Sequence, residues 1–153
     1  MEKSVEIENR SYMQQVLGME DADISNYSPL TLAYIGDSVY DLIIKSLVVN
    51  KGNKQVKKLH SETSKMVQAS AQSEMMRVLQ DVLTEEEHAV YKRGRNAKSV
   101  SPAKNQSLTD YRRATGFEAL MGWLYMKGEE KRLIDLVKIG LDHLEQINKE
   151  KTE

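Results

Sequence analysis

The sequence contains no cysteine, so a disulfide framework is excluded and any metal site has to be built from harder ligands than thiolate. It has no apolar run approaching the ~20 residues that span a bilayer. Its start, Met1-Glu2-Lys3-Ser4-Val5-Glu6, lacks the basic residues and apolar stretch of a signal peptide, so the expected location is cytoplasmic. Repeats and low-complexity tracts are missing. No Gly-x-Ser-x-Gly elbow appears, and Gly116 and Gly122 lack the lysine of a phosphate loop, which leaves helix packing as their expected role. His60, His88 and His143 fall on three separate predicted helices without paired spacing, which argues against zinc.

What is present is a helical pattern in a chain of 153 residues, the size of one domain. Such a chain can bury about 70% of the surface its unfolded form exposes. The expected fold class is all-α, a helical bundle over residues 10–149, with a loose tail over 1–9 and a short one over 150–153. Tyr12 to Leu17 reads as a short helix stopped by Gly18. Ser28-Pro29 opens the next, with Ser28 as N-cap and Pro29 preset for the first turn, and Gly52-Asn53 ends it. One helix is expected from Lys54 to Leu79, its Ala69-Ser70-Ala71-Gln72-Ser73 run admitting a close neighbour. Thr84-Glu85-Glu86-Glu87 is a capping-box start to a helix fraying at Gly94. Ser99 to Ala103 reads as loop, followed by helices near Ser107–Met126 and Glu129–Asn148. The eight methionines read as core filler, with Met66, Met75 and Met76 candidates for a subunit contact.

Two carboxylates stand out against this background. In Thr31 to Ile44, apolar residues recur on both sides of the helix, so Asp37 projects from a segment that looks covered nearly all round. Glu118 has Ala114, Thr115, Met121 and Gly122 one turn away, again with nothing local to neutralise it. An isolated carboxylate removed from water either protonates or finds a cation. Asp37 could pair with a buried Arg or Lys. Alternatively, the two acids meet across a helix pair and hold a divalent ion, for which magnesium or manganese suits oxygen ligands.

The formal net charge of −1 conceals a segregated distribution. Lys92, Arg93, Arg95, Lys98, Lys104, Arg112 and Arg113 share a window whose one acid is Asp110, directly ahead of Glu118, whereas the N-terminal segment is acidic. A solvated basic loop is the ordinary meaning of such a run. Beside an acidic metal site it is also what a phosphodiester substrate requires.

Leu32 to Asp41 resembles the signature helix of the ribonuclease III family, in which a Gly-Asp pair follows an apolar or aromatic residue and a branched aliphatic. Thr115-Gly116-Phe117-Glu118-Ala119-Leu120-Met121-Gly122 resembles that family's second acidic helix. Arg93-Gly94-Arg95-Asn96-Ala97-Lys98 and Lys104-Asn105 extend the likeness, which covers almost the whole chain, to the mini-ribonuclease III group made of the catalytic domain alone. The resemblance implies a magnesium-dependent endoribonuclease acting on double-stranded RNA, with Asp37 and Glu118 as metal-binding catalytic acids. It also implies 5′ phosphate and 3′ hydroxyl products with short 3′ overhangs. The RNA contacts fall at Arg93, Arg95, Asn96, Lys98, Lys104, Asn105, Arg112 and Arg113. The longer family members carry further acids where this chain has Ala33 and Thr115; Asp41, one turn after Asp37, is a helper or a bystander.

The implied partners are precursor large-subunit ribosomal RNA, cut near its ends during maturation, a second copy of the chain in a homodimer, and ribosomal proteins as further candidates. With no double-stranded RNA-binding domain expected after Glu153, substrate choice falls to the catalytic domain, reading A-form shape and phosphate positions. Two other readings compete: a helical RNA-binding or ribosome-associated module without turnover, which the missing acids favour, and a protein-interaction domain without a nucleic-acid role.

Overall fold

The computed structural model describes residues 12–98 and 107–152, and these form helices and connections with no strand among them. Helix α1 (12–17) stops at Gly18, whose φ of 67° lies in the left-handed region. A 3-10 turn, Ile24–Asn26, leads to α2 (Pro29–Asn50), where Ser28 accepts a hydrogen bond from Thr31 N at 3.1 Å and Pro29 takes the first position, as its sequence predicts. Then come α3 (Val56–Val67), α4 (Ala69–Leu79), α5 (Glu85–Asn96), α6 (Leu108–Met126) and α7 (Glu130–Thr152).

Helix α6 is the axis of the bundle, packing against α2, α4, α5 and α7. Ala114 to Leu124 is buried almost without interruption, the composition of a helix enclosed on all sides. Around it lie Tyr40 and Ile44 of α2, Met75, Met76 and Leu79 of α4, and Leu133 and Leu136 of α7. The Tyr40 and Phe117 rings meet edge to face at 5.0 Å, and Tyr40 donates to the Met66 carbonyl at 2.8 Å, so its hydroxyl is buried with a partner. Burial of Met75 and Met76 in this core removes them from any subunit contact.

At the far end, the capping box forms: Thr84 accepts from Glu87 N, and Glu87 accepts from Thr84 N. Buried Glu87 also receives Arg132 of α7 at 2.8 and 2.9 Å, while Arg132 donates to the Val82 carbonyl, joining the two helices through one cap. Helix α5 runs through Gly94 to Asn96 instead of fraying there, because Gly94 sits flush against Gly116 and Ala119 of α6. Residues 150–152, expected in a tail, continue α7.

Two further expectations are corrected. The helix read from Lys54 to Leu79 breaks at Gln68, whose ψ of 154° is extended. Tertiary packing redirects the chain there without a proline or glycine, since Ala69, Ala71 and Ser73 are buried once α4 turns onto its neighbours. Nor is α2 covered all round. Its buried stripe is Leu32, Ala33, Gly36, Tyr40, Ile44 and Val48, whereas Tyr34 is 80% exposed, Leu42 67% exposed, and Asp37 itself is exposed. The apolar residues on the second face of α2 are open in the single protomer.

Candidate active site

Asp37 and Glu118 belong to different helices and are brought together by the glycines beside them. A Cβ on Gly36 would be driven into the Glu118 carbonyl, and one on Gly122 into the Leu32 carbonyl, so α2 and α6 cross backbone against backbone. Asp37 follows the first contact, and Glu118 precedes Gly122 by one helical turn. Their carboxyl groups are within hydrogen-bonding reach of each other.

The crossing sets the electrostatics. Glu118 is half-buried, and its carboxyl is pushed up to about 8, first by burial, then by the hydrogen bond to Asp37 and repulsion from it, with the Gln72 amide offsetting part of the rise. A cation-free Glu118 therefore holds a proton at neutral pH. A divalent cation reverses that preference, because it lowers the energy of the doubly ionised pair. The donors present, two carboxylates and a neighbouring amide, fit a small hard ion such as magnesium or manganese. Among the described residues no group of three or more His, Asp or Glu side chains converges, so this pair is the carboxylate content of the site. Ala33 and Thr115, at the positions of the additional acids in the longer relatives, are both buried, and Thr115 donates its hydroxyl to the Tyr111 carbonyl at 2.9 Å.

Linkage gives this pair a measurable sign. An unfolded Glu118 ionises near 4.5 and a folded one near 8, so between those values the native state holds the extra proton. Stability of the cation-free protein is fully present below the unfolded value and is lost as pH rises through the folded one. Urea unfolding in chelator should show lower stability at about pH 8 than at about pH 5, a difference that Glu118→Gln shrinks and saturating magnesium offsets. An unchanged slope in Glu118→Gln would mean that this carboxyl is not the titrating group.

Asp41 turns away from this arrangement and pairs with Lys45 at 2.9 Å along its own helix. Arg93, Asn96, Lys98 and Arg112 are exposed, and Arg113 is half-buried. Arg95 is half-buried, stacks over the Tyr91 ring at 5.6 Å and donates to the Asn96 side chain at 3.3 Å. Because Gly94 rests on Gly116 and Ala119, the C-terminal turn of α5 with Arg93 and Arg95 lies against the stretch of α6 that carries Glu118. Arg112 and Arg113 occupy the beginning of α6. Lys104 and Asn105 lie outside the described residues, as do the loop expected over 99–103 and the tail over 1–9. Of the histidines, His143 contacts Glu74 at 3.1 Å, His88 packs edge-on to Tyr91, and His60 is exposed.

Gln72 was not expected at the site. It is 2% exposed, and with Glu118, Thr115, Tyr111, Ala69 and Val67 it lines a cavity of 190 Å³. The sequence carried one signal, a single long amide inside the small-residue run 69–73, where a close neighbour was expected.

Residues 30–129 match the ribonuclease III domain family. The chain is 44% identical to the mini-ribonuclease 3 of Clostridium tetani over 86% of this chain and 87% of that protein. It is 40% identical to the mini-ribonuclease 3 of a Thermoanaerobacter species, over 95% of this chain and all of that one. A crystal structure of a Fusobacterium nucleatum protein superposes with a TM-score of 0.70 at 28% identity, covering 78% of this chain and 96% of that one.

Proposed function

The chain belongs to the ribonuclease III family, within its mini-ribonuclease III group, and from that premise we propose that it is a magnesium-dependent endoribonuclease hydrolysing double-stranded RNA. The observation that carries the proposal is the meeting of Asp37 and Glu118 at the backbone crossing of α2 and α6. The two carboxylates would hold the ion, with manganese an allowed substitute. Bound there, it supplies an acidified water and neutralises charge on the leaving 3′ oxygen, giving 5′ phosphate and 3′ hydroxyl ends. No side-chain nucleophile is required. The chain's own contribution is a fixed pair of acids, together with arginines and lysines that hold the phosphate backbone. Incubating the protein with a perfect RNA duplex, in magnesium and in chelator, tests the proposal. Cleavage confined to the magnesium sample supports it; binding without cleavage in both favours the RNA-binding module, and neither binding nor cleavage the protein-interaction domain. Precursor large-subunit ribosomal RNA is the proposed physiological substrate. Ribosomal proteins bound to that RNA are the further partners.

We also propose that the protein acts as a homodimer, each copy cutting one strand. Tyr34 and Leu42 of α2 are exposed apolar side chains, and Leu42 also lines a groove of 240 Å³ with Ile35, Val39 and Ile134, the kind of surface that a second copy would cover. Analytical ultracentrifugation at micromolar concentration should give the mass of two chains, and Leu42→Glu should shift it towards one. A wild-type protein sedimenting as a monomer would contradict this.

Cytoplasmic location accompanies such a substrate; among the described residues no helix is long and apolar enough to cross a membrane. Changing Arg95, Lys98 and Lys104 together to Ala should weaken duplex binding and flatten its salt dependence by up to about 3 in log-log slope, one phosphate per side chain. Cleavage at saturating RNA should largely survive. An unchanged slope would mark the basic run as solvated surface and move the grip to Arg112 and Arg113.

A further inference from the structure

Arg95 is held in place by neutral groups. Side chains on a helix lean towards its N-terminus, over the residue one turn earlier, so Arg95 lies on Tyr91 with its guanidinium carbon 5.6 Å from the ring centroid. Its Nε donates to the Asn96 side chain at 3.3 Å. The ring beneath the guanidinium is itself seated. A Cβ on Gly116 of α6 would stand 2.7 Å from two carbons of that ring, and His88 meets it edge-on at 6.1 Å, which leaves Tyr91 fully buried. Gly116 precedes Glu118 by two residues, so the ring that carries Arg95 rests on the turn of α6 that leads into the acid.

Carboxylates fix two other arginines, Arg132 through Glu87 and Arg77 through Glu74. Arg95 has no such partner among the described residues, and its contacts there leave Nη1 and Nη2 unused. An ion pair orients a side chain and cancels its charge together, whereas a ring face and an amide oxygen orient it and leave the charge open to an anion. The planar fork of donors matches the oxygens of a phosphate. A long side chain already held in one arrangement also loses less rotamer entropy when that anion arrives.

We propose that Tyr91 is a positioning residue for RNA binding, its ring holding the Arg95 guanidinium pre-set to receive a phosphate of the duplex. The inference rests on the double-stranded RNA reading and adds to it a residue that the family likeness did not assign.

The test is fluorescence anisotropy of a labelled perfect RNA duplex titrated with protein in chelator, which reads binding without cleavage, repeated over a range of salt concentrations. Arg95→Ala should bind at least about fivefold more weakly and lower the log-log salt slope by about 1, the share of one phosphate. Tyr91→Leu keeps an apolar side chain but no ring, and should cost about threefold or more. In the Arg95→Ala background the same change should cost nothing further, because the ring acts only through the arginine. Tyr91→Phe keeps the ring face and should bind as wild type does. If Tyr91→Leu does not fold, trifluorophenylalanine at position 91 takes its place, since it has the shape of Phe and a ring face stripped of negative charge. A loss of about twofold against Tyr91→Phe, absent in the Arg95→Ala background, then supports the proposal, and equal affinity overturns it. Wild-type affinity in Tyr91→Leu or in Arg95→Ala, or losses that multiply in the double variant, also overturns it while leaving the RNA reading intact. A wild-type protein that binds no duplex overturns both.

Discussion

Asp37→Asn is expected to lower cleavage of a perfect RNA duplex at saturating magnesium by at least about a thousandfold, ~4 kcal/mol of barrier, while raising the melting temperature of the cation-free protein. The two effects share one cause. Asparagine keeps the shape of the side chain and removes the charge that a cation needs, which is also the charge that adds to burial in raising Glu118. Asp37 is exposed, so the substitution leaves no buried cavity or orphaned donor behind. Duplex binding should change little. A structural acid would behave in the opposite way, losing stability and activity together. Glu118→Gln should reproduce both effects. Asp41→Asn should not: it breaks an exposed pair with Lys45, worth at most about 0.5 kcal/mol, and touches neither acid. Asp37→Asn cutting at a substantial fraction of the wild-type rate, measured in single turnover, would remove it from the site. A loss in Asp41→Asn as large as that in Asp37→Asn would place it there instead.

Local signals in the sequence were legible where one residue dictates one backbone hydrogen bond. Ser28 and Thr84 cap the helices they precede, and Gly18 stops α1 with a backbone that a side chain would strain. The break at Gln68 was not legible, because its cause is the burial of Ala69, Ala71 and Ser73 against helices far along the chain. The same holds for α2. Its apolar residues occupy more than one face, and periodicity alone cannot tell a face buried within the protomer from one left exposed. Asp37 and Glu118 were legible as acids without a local partner, whereas their mutual proximity depends on the Gly36 and Gly122 crossing. Gln72 was hidden because an amide in a helix carries no charge to look out of place.

Gly36→Ala is expected to destabilise the protein by at least about 3 kcal/mol, a large part of the ~5–15 kcal/mol that holds a domain together. The direction is opposite to that of helix propensity, which favours alanine over glycine by ~1 kcal/mol in a helix interior. The reason is what the new methyl meets. At Gly36 it would run into the Glu118 carbonyl and stand 2.7 Å from the Gly122 amide nitrogen, and backbone in the middle of a buried helix cannot swing aside as a flexible side chain can. Relief requires α2 and α6 to separate, which opens the core at Tyr40 and Phe117 and draws the two carboxyl groups apart. Gly122→Ala, against the Leu32 carbonyl, should do the same from the other side of the crossing. Ser46→Ala on the exposed face of α2 serves as the control and should stay within about 0.5 kcal/mol of wild type. Urea unfolding measures all three, and manganese titration of whatever fraction of Gly36→Ala remains folded should show weakened binding, since the acids no longer share one ion. A Gly36→Ala protein as stable as wild type would mean that the helices do not touch backbone to backbone, and the pairing of Asp37 with Glu118 would lose its foundation.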